Sequence, residues 1–334
     1  MTMQATALAH PNIAFIKYWG IKNEPLRIPA NDSLSMNIDG LFTRTTVTYD
    51  SYLKEDRLIL NNETVSGQGL LRVQQFLDRV RQLAGEHIFA RVESENNFPM
   101  GAGIASSASG FAALALAGTA ALGLTLSEQA LSSLARFGSG SACRSIPGGF
   151  VEWRTDPETQ ESFAFSIAPA DHWQLADCVA ILSDQHKSVG SQAGMRMAPT
   201  SPFQQARVLD SQRRVDLCRK AILDRDFAAL ASISELDSNM MHAVMMTSHP
   251  PLFYWHPQSL AIMKAVKTWQ KEGLPVTYTL DAGPNVHVIC LQSVTDEVLS
   301  RLRAFPEVLT VMTGTPAGPA RLLNNDAQAP LPQV

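Results

Sequence analysis

Positive charge is scarce in this chain, and cysteine scarcer. Lysine and arginine number 27 against 31 aspartate and glutamate residues, a formal charge of −4. Such a balance gives no electrostatic footprint for nucleic acid or an anionic membrane, so any cation that matters is placed locally. The four cysteines (Cys143, Cys178, Cys218, Cys290) stand apart, without a CxxC or metal-ligand spacing, which predicts buried free thiols in a reducing compartment. No stretch reaches the ~18 uninterrupted apolar residues of a membrane span. Residues 1–20 carry Lys17 and lack a long apolar core with a cleavage site, so no secretory signal is expected. These absences predict a cytoplasmic protein with neither nucleic-acid nor membrane partners. What the chain does have is apolar residues, 45% hydrophobic over 334 positions, enough for two domains with their own cores.

One segment stands out, Asn97-Phe98-Pro99-Met100-Gly101-Ala102-Gly103-Ile104-Ala105-Ser106-Ser107-Ala108-Ser109-Gly110. Glycines and small hydroxyl residues lead directly into the apolar run 111–117. Such a loop lets backbone N–H groups approach an anion, and the positive end of the following helix favours phosphate there. No Gly-Lys-Ser/Thr closes it, so it is not a P-loop, and its spacing is not that of a dinucleotide fingerprint. A tight turn before a packed helix is the plainer alternative; two glycines and two serines in one long loop favour a nucleotide phosphate site.

Periodicity predicts strands at 43–49, 57–60 and 88–95, and helices at 69–83, 107–122 and 127–137, the last opening on the capping-box pattern Thr125-Leu126-Ser127-Glu128. Gly148-Gly149 precedes a strand at 150–153, and a strand at 178–182 leads into a polar loop, 183–202. A domain boundary is expected near residue 180, giving domains over 1–180 and 181–323. The second half reads as helices at 203–223, 227–246, 257–272 and 295–304, with strands at 276–280, 286–291 and 308–312. This pattern predicts an α+β sandwich with a sheet covered on one face. The tail over 324–334 is polar and proline-bearing, hence flexible.

Four polar clusters lie outside the apolar periodicity: Asn12 to Gly20, a short apolar strand ending on Lys17; Asn31 to Ser35; Gly138 to Ser145; and Leu280 to Asn285. Each has an ordinary explanation. Lys17 snorkels from an apolar run, Asp281 starts a turn, and Ser139 and Ser141 cap the short helix that follows. Their coincidence with the glycine loop argues for a site.

Together these segments resemble the GHMP superfamily of small-molecule kinases and, within it, the mevalonate diphosphate decarboxylases. The resemblance is carried by Lys17-Tyr18-Trp19-Gly20, Asn31 with Ser33-Leu34-Ser35, Gly138-Ser139-Gly140-Ser141-Ala142-Cys143-Arg144-Ser145 followed by Gly148 to Trp153, Asp237-Ser238-Asn239 with His242, and Asp281-Ala282-Gly283-Pro284-Asn285. It implies an α+β, two-domain GHMP-type fold. The N-terminal domain would be ribosomal S5 domain 2-like and the C-terminal domain a ferredoxin-like α/β sandwich. It also implies ATP and Mg²⁺ as cofactors, a phosphorylated mevalonate as substrate, and a homodimer.

By the same resemblance the γ-phosphoryl group of ATP passes to a tertiary C3 hydroxyl, and phosphate and CO₂ then leave to form a double bond. Asp281 orients and helps deprotonate the alcohol, Lys17 beside it depresses the carboxyl pKa, and Arg144 grips the substrate carboxylate. Gly101, Gly103, Ser106 and Ser107 cradle the ATP phosphates. Tyr18, Arg72, Ser139, Ser141, Ser191 and Gln192 are assigned to substrate, and the metal contacts are left open. Retention of Asp281, Lys17 and Arg144 together argues against a C3 kinase without decarboxylation and against a non-catalytic ligand sensor.

Two positions depart from the family pattern. The family usually reads Lys-Tyr-Trp-Gly-Lys, whereas Ile21 stands at the last place here, with Lys22 displaced by one. Gln192 stands where the family has an arginine, while Arg72 is retained. Losing two partly desolvated cations weakens diphosphate binding by ~2–4 kcal/mol. The expected substrate is therefore 5-phosphomevalonate, yielding isopentenyl phosphate. The alternative is the diphosphate, with Lys22, Lys187 or Arg196 swinging in to bind it.

Overall fold

The computed structural model describes residues 2–98, 106–183, 185 and 189–324. The first half runs β1 (Thr2–Ala9), β2 (Asn12–Ile16), β3 (Ile21–Asn23), β4 (Ile28–Pro29), β5 (Ser33–Asn37), β6 (Thr43–Asp50), β7 (Arg57–Leu60), β8 (Glu63–Val65), α1 (Gln68–Ala84), β9 (Ala90–Asn96), α2 (Ser106–Ala121), α3 (Glu128–Gly138), β10 (Phe150–Thr155) and β11 (Ser162–Ala168). A 3-10 turn, Gly140–Ser145, follows α3. The rest comprises β12 (Leu175–Ile181), α4 (Ser191–Met197), α5 (Gln204–Leu209), α6 (Ser211–Asp224), α7 (Phe227–Thr247), α8 (Pro257–Lys271), β13 (Val276–Thr279), β14 (Val286–Leu291), α9 (Thr295–Arg303), β15 (Thr310–Gly314) and β16 (Arg321–Leu323).

Three larger sheets carry the molecule. The first, in the order β16–β1–β6–β9–β7–β8, is antiparallel except at β7–β9; the second is β11–β10–β5–β2 and the third β13–β14–β12–β15. Helix α2 is apolar on every side, so it is buried among its neighbours rather than lying on a surface. That burial fixes where its first residues, Ser106 and Ser107, emerge. Helix α3 starts where the capping pattern placed it, with the Ser127 side chain accepting from the Ala130 N–H.

The third sheet is covered on both faces rather than one. Along β12, Ala176, Cys178 and Ala180 pack toward α8 and α9, while Leu175, Val179 and Ile181 join a core with Val215, Ile222, Leu230 and Ile233 of α6 and α7. That second core continues into Ile13, Phe15, Leu34 and Met36 of β2 and β5, so the two halves share apolar packing. Strand β12 pairs with β14 and β15, and β16 returns to pair with β1. The strand expected to end the first domain thus sits in the third sheet, and the last strand among the described residues sits in the first. Helix α4 occupies part of the expected loop 183–202, and the helix expected at 203–223 is interrupted at Asp210. All four cysteines are buried and free. Among the described residues, no helix is long and apolar enough to cross a membrane.

Candidate active site

A cleft of about 560 Å³ gathers Lys17, Tyr18, Arg72, Ser106, Ser107, Ser139, Ser141, Arg144, Ser191, Gln192 and Asp281. These are the site residues expected from sequence, apart from Gly101 and Gly103, which lie outside the described residues.

Lys17 follows β2 and does not snorkel. It is 1% exposed, and its Nζ donates to Asp281 Oδ1 at 2.7 Å. Its backbone is held from behind. The Lys17 N–H donates to Asp237 Oδ2 at 2.6 Å, and its carbonyl accepts from Arg207 at 2.8 Å and Asn31 at 3.0 Å. Asp237 also accepts from Arg214 Nε at 2.7 Å, and all three charged side chains are buried. Burial lowers the Lys17 pKa from its usual 10.5, opposed by the Asp281 charge.

Asp281 follows β13 at the head of a turn pinned from several sides. Ser238 Oγ accepts from the Leu280 N–H at 3.0 Å, Gly283 N–H donates to the Asp281 carbonyl at 2.8 Å, and Asn285 Oδ1 accepts from the Leu182 N–H at 2.7 Å. The Asp281 side chain keeps 30% of its surface open. Burial acts to raise its pKa, but Lys17, His287 and Arg144 outweigh it and hold the carboxyl below the usual aspartate value. His242 is buried, stacks on Trp255 at 4.7 Å, and has its pKa pushed down to about 3 by burial and by the Lys17 charge. It is therefore neutral at physiological pH. His287 contacts Asp177 through Nδ1 at 2.7 Å.

Arg144, 3% exposed, is held entirely by neutral oxygens. Its Nε donates to Ser35 Oγ at 3.1 Å and Asn12 Oδ1 at 3.3 Å, one terminal nitrogen to Ser33 Oγ at 2.6 Å, and the other to Asn12 Oδ1 at 3.1 Å. Asn12 is itself fixed by donating to Ser145 Oγ at 2.8 Å. A guanidinium has five N–H groups, so each terminal nitrogen retains one for a planar anion in the cleft.

Ser139 does not cap the 3-10 turn with its side chain. Its hydroxyl lies 3.2 Å from Ser107 Oγ and 3.4 Å from Ser141 Oγ, a row of hydroxyls along the cleft. Tyr18 packs edge-on against Trp153 at 4.7 Å, and burial pushes its hydroxyl pKa up to about 12. Gly140 permits that packing, since a Cβ there would lie 2.6 Å from the Tyr18 ring. Arg72 donates to the Gly138 carbonyl at 3.0 Å, and Ser191 and Gln192 open α4 at the cleft wall.

The structure adds Asn12 and Arg27 to the cleft, and Asp237, Arg207 and Arg214 behind it. Asn12 heads one of the four polar clusters, and Asp237 and His242 belong to a quoted motif, so a signal existed for them. Arg207 and Arg214 carried none, because buried arginines on a helix are spaced as solvated ones are.

The geometry agrees with the comparisons to known proteins. The diphosphomevalonate decarboxylase-like N-terminal domain family matches residues 9–164, and the mevalonate 5-diphosphate decarboxylase C-terminal domain family matches residues 178–326. The diphosphomevalonate decarboxylase of Candida albicans is 39% identical over 316 residues, covering 89% of this chain and 87% of its own. The mevalonate diphosphate decarboxylase of Staphylococcus aureus superposes with a TM-score of 0.91 at 36% identity, covering 97% of this chain and 99% of its own. A further solved structure, MDDEF in complex with MVAPP, AMPPCP and magnesium, does so with a TM-score of 0.90 at 40% identity and the same coverage. With both family domains matched in order, and a buried lysine and arginine converging with a partly open aspartate on one cleft, the chain belongs to the diphosphomevalonate decarboxylase family.

Proposed function

We propose that this protein decarboxylates a 5-phosphorylated mevalonate at the expense of ATP. The observation that carries the reading is the meeting of Asp281, Lys17 and Arg144 in one cleft, with the N-terminus of α2 at its wall. Asp281, kept ionised by Lys17, accepts a hydrogen bond from the tertiary hydroxyl and takes its proton as the oxygen attacks the γ-phosphoryl group. Arg144 grips the substrate carboxylate, keeping the breaking C–C bond aligned with the departing phosphate. As CO₂ leaves, its bonding electrons form the new double bond and expel phosphate.

Ser106, Ser107 and the α2 N-terminus suit nucleotide phosphates. Magnesium takes oxygen ligands, usually with substrate phosphates; the Ser106 and Ser107 hydroxyls at the nucleotide end would supply such oxygens. Among the described residues, no group of three histidine, cysteine or acidic side chains offers a self-contained metal site. When bound, magnesium neutralises charge on the transferring phosphoryl group. Free buried thiols support a cytoplasmic location as part of the same proposal.

Of the two substrate forms, we assign 5-phosphomevalonate. Ile21 and Gln192 both line the cleft, so no cation reaches it from either place. Of the replacements, Arg196 is engaged by Glu24, Lys22 is exposed, and Lys187 lies outside the described residues. The diphosphate is a second reading, and the comparisons favour it, because the similar proteins are named for that substrate. The ratio of kcat/KM for 5-phosphomevalonate and 5-diphosphomevalonate decides between the two. A higher value for the diphosphate removes the monophosphate assignment, and no CO₂ from either removes the decarboxylase reading.

A further inference from the structure

Arg27 belongs to no motif noted in the sequence, yet it reaches the cleft. It sits at the tip of the β3–β4 hairpin, where Ile21 pairs with Pro29 and Asn23 with Ile28. Its backbone is left-handed, with φ +48°, a conformation that side chains other than glycine adopt rarely and that points to function where it is held in place. Three contacts hold it. The Arg27 N–H donates to the Glu24 carbonyl at 3.0 Å, the Leu26 N–H to Asn23 Oδ1 at 3.1 Å, and the Arg136 guanidinium bonds the Leu26 carbonyl.

Arg27 donates to the Gly138 carbonyl at 3.2 Å, the same oxygen that accepts from Arg72 at 3.0 Å. Two guanidiniums thus converge on one neutral acceptor, and neither forms an ion pair among the described residues; the nearby Glu24 pairs with Arg196. Like charges so close repel, and an anion between them turns that repulsion into attraction. Arg72 Nε is buried without a hydrogen-bond partner. Arg72 lies over the Phe111 ring at 5.1 Å, which fixes its plane. Phe111 in turn needs glycine at 138, where a Cβ would sit 2.0 Å from its ring.

We propose that Arg27 and Arg72 together form a two-guanidinium clamp on the 5-phosphate of the substrate. Arg27 supplies, from across the hairpin, the cation that Ile21 does not. The inference rests on the proposed decarboxylation and names the residue that sets affinity at its phosphate end. One cation regained against two absent matches a monophosphate better than a diphosphate.

The test measures CO₂ release and 5-phosphomevalonate binding for the wild type and for Arg27→Ala, Arg27→Lys, and Arg27→Ala with Ile21→Lys. In Arg27→Ala, KM for 5-phosphomevalonate should rise ~10- to 100-fold, as expected for a lost charged hydrogen bond, with kcat nearly unchanged. Arg27→Lys should recover part of that loss, and Ile21→Lys in the alanine background should recover part as well. A KM within about twofold of wild type overturns the clamp. If Arg27→Ala does not fold, Arg27→Gln carries the same comparison. If the wild type releases CO₂ from neither substrate, the decarboxylation reading fails on its own account. Calorimetric titration with 5-phosphomevalonate and inorganic phosphate then still tests the clamp: weaker binding by Arg27→Ala supports it and equal binding overturns it.

Discussion

The two ends of the cleft are built on opposite electrostatic plans. At the Asp281 end every charge is answered and all but the partly open Asp281 are buried: Lys17 by Asp281, Arg207 and Arg214 by Asp237, Arg144 by four oxygen contacts. At the Arg27 end two half-buried guanidiniums share one carbonyl, in a cleft that Ile21 and Gln192 also line. The first arrangement positions groups for a reaction, and loss of one member leaves another charge stranded in low dielectric. The second leaves charge in reserve for a ligand. Chemistry should therefore be fragile at one end, and specificity adjustable at the other.

The largest expected effect lies in the reaction itself. Asp281→Asn keeps shape and hydrogen bonding but removes the base, and should lower kcat by ~10²–10⁴-fold with ATP affinity unchanged. Single-turnover measurement of ADP and CO₂ checks this. Normal turnover in the variant would break the comparison at its root. Asp237→Ala should act on the fold instead, because Arg207 and Arg214 lose their shared buried carboxylate. A loss of ~3–5 kcal/mol is expected, read by urea unfolding, and a drop below ~1 kcal/mol would show that the arginines find other partners.

Much of the first end was legible in sequence, because Lys17, Arg144 and Asp281 each stand in a dense, specific motif. The all-round apolar pattern of α2 was legible too, since it has no polar face to confuse its placement. Arg27 was not, because its meaning depends on a hairpin folding back over α3, which no local spacing records. Arg207 and Arg214 read as solvated charges until α6 and α7 bury them together. The third sheet's second covered face was equally hidden: along β12, small and large apolar residues alternate, and only the shared core shows that both sets are inside. Strand β1, with its threonines and alanines, carries too weak an alternation to register.

Adjustability at the phosphate end is tested by restoring the missing cations. Ile21→Lys with Gln192→Arg should move the kcat/KM ratio toward the diphosphate by ~10- to 100-fold, since each adds a charge-assisted contact. The shift should appear in KM and shrink with added salt. An unchanged ratio would mean that these two positions do not read the distal phosphate, and the contrast between the ends would narrow to Arg27 and Arg72.

The smallest effect compares two carboxylates of one molecule. Asp281 has Lys17 at 2.7 Å and is held below its usual pKa, whereas burial raises Asp32, helped by the Glu152 charge, to about 6. Asp32 Oδ1 accepts from the Thr155 N–H at 3.0 Å, a bond that an asparagine oxygen can keep. Because the folded-state pKa of Asp32 lies above its usual 3.8, the folded protein binds the extra proton between these values, and stability falls as pH rises through that window. Asp32→Asn removes the charge. It should be more stable than wild type by ~1–3 kcal/mol above pH ~6, with the difference disappearing below pH ~4. Asp281 has the opposite sign, since its depressed pKa makes ionisation in the folded state favourable, and the stability this contributes is lost only as pH falls through that low value. Thermal unfolding of both variants across pH 3.5–8 separates the two cases. Parallel pH profiles for Asp32→Asn and Asp281→Asn would show that burial acts alike on both carboxylates and that the Lys17 charge does not set them apart.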